Sequence, residues 1–317
     1  MINNTIISTM NNNTDWPKIS VIIATYNSLS QSYLKECLDS VKKQKYSGEI
    51  EIIVSDGGST DGTVSIASEY GARIIHNPKK TELGFNGGKN LAIKHATGDL
   101  IADVDADNIL MEDDYFTQLV APFIKDSRIS MSFPAPYIPS KKEQTDLCRY
   151  FCSLESDLFR KYLNGIKQDS YIEITPADII IPNGALLKKS IIDMIGGWDY
   201  DTEVGFRLVK TGFNKFAYVP TIHRLHLEMI HYINVWRKYK RRIVNQISVS
   251  KLGDKSRVQM EIDEKAAHPS FFLKEELVNP LINMIEKKDF CYINAIPVFT
   301  IKLILILRYF KELTNRK

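Results

Sequence analysis

The sequence predicts an α/β fold, a mixed and mainly parallel sheet with crossover helices, followed by a helical C-terminal extension. Residues 18–25, KISVIIAT, form a continuous β-branched run of the kind buried on both faces of a parallel sheet. Further short apolar runs at 50–54, 72–76 and 100–104 are spaced so that a helix fits between each pair. The intervening residues 33–43 carry Leu34, Cys37, Leu38 and Val41 at helical spacing. The first hundred residues therefore read β-α-β-α-β-α-β.

With 44% hydrophobic and 25% charged residues in 317, the chain has an ordinary globular composition, enough for one large α/β domain with a helical appendage or for two small domains. A net charge of +3 gives no argument for nucleic acid as a partner. Cys37, Cys148, Cys152 and Cys291 lack metal-ligand spacing and demand no oxidising compartment, so a cytoplasmic location is expected. Residues 1–16 are Asn/Thr-rich, without a basic start or apolar core, and read as a tail rather than a signal peptide.

The first strand stops at the polar exit Tyr26-Asn27-Ser28. The second ends in SDGGSTDGT, turn residues leading to a helix over 64–70. Residues 84–108, GFNGGKNLAIKHATGDLIADVDADN, read as a Gly-rich loop, a short helix, a Thr97-Gly98 turn and a strand ending in Asp105-Ala106-Asp107. Two aspartates at i and i+2 face one side of an extended segment and suit a hard divalent cation shared with phosphate oxygens; equally, they cap the next helix and turn the chain. Gly87 to Asn90 offers backbone N–H groups and one ammonium to a diphosphate. In parallel sheets ligands collect outside the carboxyl ends of the strands, where three polar exits converge here, and that favours the metal reading. The G-x-G-x-x-G spacing and the G-K-[ST] ending of other nucleotide sites are both missing.

Further along, a helix is predicted over 115–125 and a strand near 129–133. A helix follows around 147–163, then a strand over 179–187 broken by Pro182-Asn183-Gly184. Gly196-Gly197-Trp198-Asp199 leads into a helix over 202–211, and a last strand spans 217–222, before His223 and His226. Asp201 and Glu203 sit where a helix dipole favours acids, and simple capping explains them too.

These motifs, ISVIIATYNS, EIIVSDGGSTDGT, GGKNLAIKHATGDLIADVDADN and IGGWDYDTEVGFRLVKTG, occur in an order that resembles a family-2 glycosyltransferase with the GT-A fold, over about residues 18–226. The resemblance implies a nucleotide-sugar donor, a UDP- or GDP-sugar, held by Ala24, Thr25 and Tyr26 at base and ribose, with Asp56 reading the base and Lys89 pairing with the diphosphate. It implies Mn²⁺ or Mg²⁺ on Asp105 and Asp107, Asp105 also on the donor side, with His226 as a further metal or phosphate contact and His223 as its competitor. Asp103 lies outside the motif as a neighbour that tunes the site. Asp201 stands at the catalytic-base position of an inverting transfer. The chain departs from the family pattern at Gly57, where a second acid is common, and at Tyr200, where a Glu is common. Those departures keep a non-catalytic binding subunit in play. A sugar-phosphate nucleotidylyltransferase is disfavoured by the missing Gly/Arg-rich loop after the first strand.

The implied domain layout is 17–226 for transfer and 227–317 for the extension. There, Tyr232, Trp236, Tyr239 and Ile243 lie at helical spacing beside Arg237, Lys238, Lys240, Arg241 and Arg242. Such a helix suits an anionic membrane surface, or packs on its domain with a solvated basic face. Residues 293–310 are strongly apolar but include Lys302, and a central Lys costs about 2.5–3.5 kcal/mol on insertion. That predicts a buried or interfacial helix rather than a span, with peripheral membrane association and a saccharide or lipid-linked acceptor.

Overall fold

The computed structural model describes residues 16–29, 33–78, 80–136, 145–163, 172–174, 184–198, 201–226, 232–233, 235–237, 239–240, 243 and 273–314. By contacts the chain divides into two units, Met1–Ile138 with Phe159–Leu227, and Pro139–Leu158 with Glu228–Lys317. The sequence places the boundary at 226 alone. The structure also assigns residues 139–158 to the second unit, because Leu147 and Tyr150 are buried with Val235, Tyr292 and Val298.

The first unit alternates as the apolar runs predict: β1 (Ile19–Thr25), α1 (Leu34–Lys42), β2 (Ile50–Asp56), α2 (Thr63–Glu69), β3 (Arg73–His76), α3 (Lys80–His95) and β4 (Leu100–Asp103). It continues with β5 (Asn108–Leu110), α4 (Tyr115–Lys125) and β6 (Met131–Pro134). After α5 (Asp146–Leu163), whose first part belongs to the second unit, come β7 (Ile172–Ile174), β8 (Leu186–Lys188), α6 (Lys189–Met194), α7 (Asp201–Lys210), β9 (Phe216–Val219) and β10 (Arg224–His226).

Eight strands form one sheet in the order β3-β2-β1-β4-β8-β6-β9-β7. β1 runs parallel to β2 and to β4, β2 parallel to β3, and β6 parallel to β9. β8 is antiparallel to both β4 and β6, and β7 to β9, so the sheet is mixed. Alternation along β1 feeds two cores, as the two-residue period of a strand requires. Ile19, Val21 and Ile23 pack with Leu34, Leu38, Phe116 and Leu119. Ile22 packs in the other cluster with Ile93, Leu187, Trp198 and Leu208. The chain leaves β1 toward β2 and β3, then returns to the opposite side of β1 as β4. A ligand crevice is expected at that reversal, outside the carboxyl ends of β1 and β4.

Of the strand expected over 179–187, residues 179–183 lie outside the described residues and β8 covers Leu186–Lys188. β7 and α6 are not among the expected elements, and two further elements differ in ways that bear on the site. Residues 84–88 lie within the helix α3, not in a loop. Gly88 is there for close approach: a Cβ on it meets Ala24 Cβ and Ser55 Oγ at 3.3 Å. The helix thus packs directly on β1 and β2 through a residue with no side chain. The second difference is a two-stranded sheet in which β10 pairs antiparallel with β5, His226 opposite Asn108. Strands of three residues leave too little periodicity to be read from sequence.

Candidate active site

The site is built at the ends of β1, β2 and β4. Thr25, at the end of β1, donates through Oγ1 to Asp56 Oδ1 at 3.1 Å. Asp56 also accepts from the backbone N–H groups of Gly58 and Ser59, both at 2.8 Å, and from Ser59 Oγ at 2.5 Å. Burial alone would raise this carboxyl, but these hydrogen bonds favour the ionised form and hold it below its ordinary range. Both oxygens of Asp56 are therefore engaged in shaping its own loop. Asn27, at positive φ of 51°, ties the two exits together: its N–H donates to Ser59 Oγ and its Oδ1 accepts from Thr60 N–H. Ala24 is half-buried, and Tyr26 projects from the strand end, 47% exposed.

The structure corrects the phosphate-cradle expectation for residues 87–90. Inside α3 their backbone groups belong to a helix interior rather than to an N-terminus. Lys89 is buried, with its Nζ 2.7 Å from Asp103 Oδ2 and 3.6 Å from Asp105 Oδ1. A buried ammonium without a carboxylate is strongly unfavourable, and the buried Asp103 is its nearest partner. Asp103, read from the sequence as a neighbour that tunes the site, is the anchor of this cation. The Lys89 Nζ also lies 5.8 Å from the Trp198 ring centroid.

Asp105 and Asp107 have different partners. Asp105 turns toward Lys89, whereas Asp107 Oδ2 lies 3.3 Å from His226 Nε2 and Asp107 Oδ1 accepts from Asn108 Nδ2 at 2.9 Å. The β5–β10 pairing decides between the two histidines. It sets His226 beside Asp107, while His223 Nδ1 lies 2.9 Å from Glu112 Oε1 and its N–H donates to Glu112 Oε2. Among the described residues no group of three His, Cys, Asp or Glu side chains is gathered as a metal cage. Of the expected trio Asp105, Asp107 and His226, the structure brings Asp107 and His226 together, while Asp105 faces Lys89.

That pair fits a divalent cation. Mg²⁺ is commonly held by one or two protein carboxylates, with substrate phosphates and water filling the octahedron, and Mn²⁺ favours the same oxygen donors. Cys37 takes no part as a nucleophile. Its Sγ donates to the Asp105 carbonyl at 3.5 Å, and burial, with the Asp107 and Asp105 carboxylates nearby, pushes the thiol well above its ordinary range.

The fourth part of the site enters through the Gly196-Gly197-Trp198 loop. The Asn90 side chain clasps Trp198 in both directions, donating to its carbonyl at 2.7 Å and accepting from its N–H at 2.5 Å. Arg207 donates to the carbonyls of Ile195 and Gly197, holding the same loop from α7. Asp201 begins α7. Its side chain, that of Glu203, and residues 199–200 lie outside the described part.

Residues 20–194, more than half of the chain, match the family model described as glycosyl transferase family 2. The chain belongs to that family. Over 104 residues it is 35% identical to an N-acetylglucosaminyltransferase of Mesorhizobium japonicum, a match covering 31% of this chain and 24% of that protein. It is 38% identical over 99 residues to the putative glycosyltransferase EpsE of Bacillus subtilis, covering 29% of this chain and 34% of EpsE. The matched stretch thus spans only 24% and 34% of these relatives' length. Among solved structures, the mannosyltransferase PcManGT of Pyrobaculum calidifontis, in complex with GDP-Man and Mn²⁺, superposes with a TM-score of 0.55 at 17% identity, covering 96% of this chain and 89% of that one. Residues 1–349 of S. aureus TarS, in complex with UDP, give 0.50 at 16% identity, with 94% and 88% covered. The fold is GT-A.

Proposed function

We propose that this chain transfers a glycosyl group from a UDP- or GDP-sugar to a hydroxyl of a saccharide or lipid-linked acceptor, with inversion at the anomeric carbon and with Mn²⁺ or Mg²⁺ as cofactor. The observation that carries the proposal is the pairing of β10 with β5, which brings His226 to Asp107 at the mouth of β4. Nucleotide-sugar use is supported by family membership, by the GDP-Man bound to PcManGT and by the UDP bound to TarS.

Each residue then has a task. Ala24, Thr25 and Tyr26 line the nucleoside end, and Asp56 keeps the loop beside them in shape. Asp107 and His226 would hold the cation, which would supply positive charge against the leaving diphosphate. Lys89 acts on the donor through Asp105, whose carboxylate it orients, rather than by reaching the phosphates. Asp201 is the base. The acceptor oxygen attacks the anomeric carbon, the bond from that carbon to the diphosphate oxygen breaks, the nucleoside diphosphate leaves, and the acceptor proton passes to the Asp201 carboxylate. Its position at the first residue of α7 favours the ionised state that a base requires.

The test is release of UDP or GDP from a panel of nucleotide sugars by the full chain with Mn²⁺. Turnover that EDTA abolishes and Mn²⁺ restores is the expected result. Turnover indifferent to EDTA removes the metal assignment, and none with any donor removes the activity.

A further inference from the structure

Outside the crevice, the second unit carries a helix that is apolar on two faces. A 3₁₀ turn (Phe290–Asn294) leads into α9 (Ala295–Thr314), after α8 (Asn279–Lys287). One face of α9 is core: Ala295 and Val298 are buried with Tyr150 and Val235, and Leu305 with Ile243. The other face presents Ile293, Ile296, Leu303, Ile304 and Leu307 to solvent, the last 64% exposed. These positions step by about one helical turn and form a single stripe. The stretch Phe290–Tyr309 has a mean hydropathy of 2.1 and is long and apolar enough to cross a membrane, yet only 33% of it is buried.

Two details limit the polar character of that stripe. Lys302 is turned inward, its Nζ paired with Glu276 and 4.6 Å from the Tyr239 ring centroid. Burial opposes its charge, but Tyr239 and the Glu276 carboxylate beside it outweigh that and hold its pKa above the ordinary value, so it stays a paired cation within its unit. Thr300, which does sit on the exposed side, returns its hydroxyl to the Ile296 carbonyl at 2.9 Å. Lys302 is thus turned away from the lipid-facing side. Arg308, exposed beside Leu307 and one turn after Ile304, lies at the edge of the stripe, where its apolar stem suits the interface and its charge the head groups. The occupied inner face argues against a span as well.

The charge distribution specifies what could cover the stripe. Residues 228–317 hold 17 of the 41 Lys and Arg but 10 of the 38 Asp and Glu, a net of +7, and residues 1–227 carry −4. The overall +3 conceals this division. Arg237, Lys240, Lys274, Lys287 and Lys288 are all exposed. We propose that the outer face of α9 docks into the surface of an anionic lipid bilayer, with the helix lying in the interfacial plane and the basic residues of 228–317 meeting the head groups. This goes beyond the transfer reaction and does not rest on it.

The test is flotation of the full chain with vesicles of equal parts phosphatidylcholine and phosphatidylglycerol, against phosphatidylcholine alone. Binding is expected only to the anionic vesicles, at low salt, and weakened in ~1 M salt, where the screening length is about 3 Å. A double variant, Ile304→Glu with Leu307→Glu, should lose binding about tenfold or more. Met194→Glu, at an equally exposed apolar residue of the first unit, should bind as the parent does. Since all four native thiols are buried, Leu307→Cys can carry an environment-sensitive dye selectively, and its emission should shift to the blue on anionic vesicles. Binding unaffected by the double variant, no binding by the parent, or a dye that reports water throughout each overturns the proposal. So does a stable dimer that ignores vesicles and that the double variant dissociates, since a second copy then covers the stripe.

Discussion

Asp103 and Asp107 illustrate how two acids four residues apart are given different work by their surroundings. Asp103 is buried against Lys89 and keeps a cation in the site, whereas Asp107, at the half-open mouth, meets an imidazole. Asp201, at the head of α7, has the third part. Asp201→Asn is expected to lower turnover by about 10²–10⁴-fold while leaving the thermal shift caused by UDP or GDP intact. A variant that turns over normally would take Asp201 out of the reaction. Asp56 has a structural consequence that pH reveals. Its folded carboxyl titrates below the unfolded value, so its stabilisation is full above about pH 4 and is lost as pH falls through the folded pKa. Asp56→Asn should cost about 1.5–3 kcal/mol at neutral pH. In urea titrations the gap between parent and variant should narrow in acid; a gap that is constant with pH contradicts the assignment.

At the scale of elements, the Gly196-Gly197-Trp198 segment before α7 is clasped from two sides, by Asn90 and by Arg207. Gly197 sits at φ of 97°, and a Cβ there would be 2.7 Å from Asn90 Oδ1. Gly197→Ala therefore brings backbone strain of about 1–3 kcal/mol and pushes aside the amide that clasps Trp198. We expect kcat to fall roughly tenfold to a hundredfold, with a smaller change in donor KM, because the residues proposed to contact the donor lie on other elements. Equal loss in both parameters would mean that the loop shapes the donor pocket instead. The same scale shows what the sequence could disclose. The continuous apolar runs of β1, β2 and β4 announce themselves, and with them the placement of Thr25, Asp56 and Asp105 at strand exits. The glycines at 84–88 point the wrong way, since glycine disfavours a helix locally and only the packing of Gly88 on Ala24 and Ser55 explains it. The β5–β10 pair, and hence the choice of His226 over His223, joins segments more than a hundred residues apart. The inward turn of Lys302 needs Glu276 and Tyr239 to be seen. Each of these rests on non-local contacts that no local pattern encodes.

At the scale of the whole molecule, the two units have cores of their own. The clusters around Ile19 and Ile22 belong to the first, and those around Tyr150 and Leu305 to the second. Cooperative unfolding follows the buried apolar core, so a chain with separate cores should melt in two transitions rather than one. Only the first unit carries the strand exits, Asp107 and His226. Mass action then makes a specific forecast: a nucleoside diphosphate with Mn²⁺ at a hundred times its dissociation constant adds about 2.7 kcal/mol to the unit that binds it, and nothing to the other. Calorimetry of the full chain should show one transition moving up with UDP or GDP and Mn²⁺, and returning with EDTA, while the second stays in place. Two transitions that move together would show that the units unfold as one, and a nucleotide shift without metal would separate donor binding from the Asp107–His226 pair.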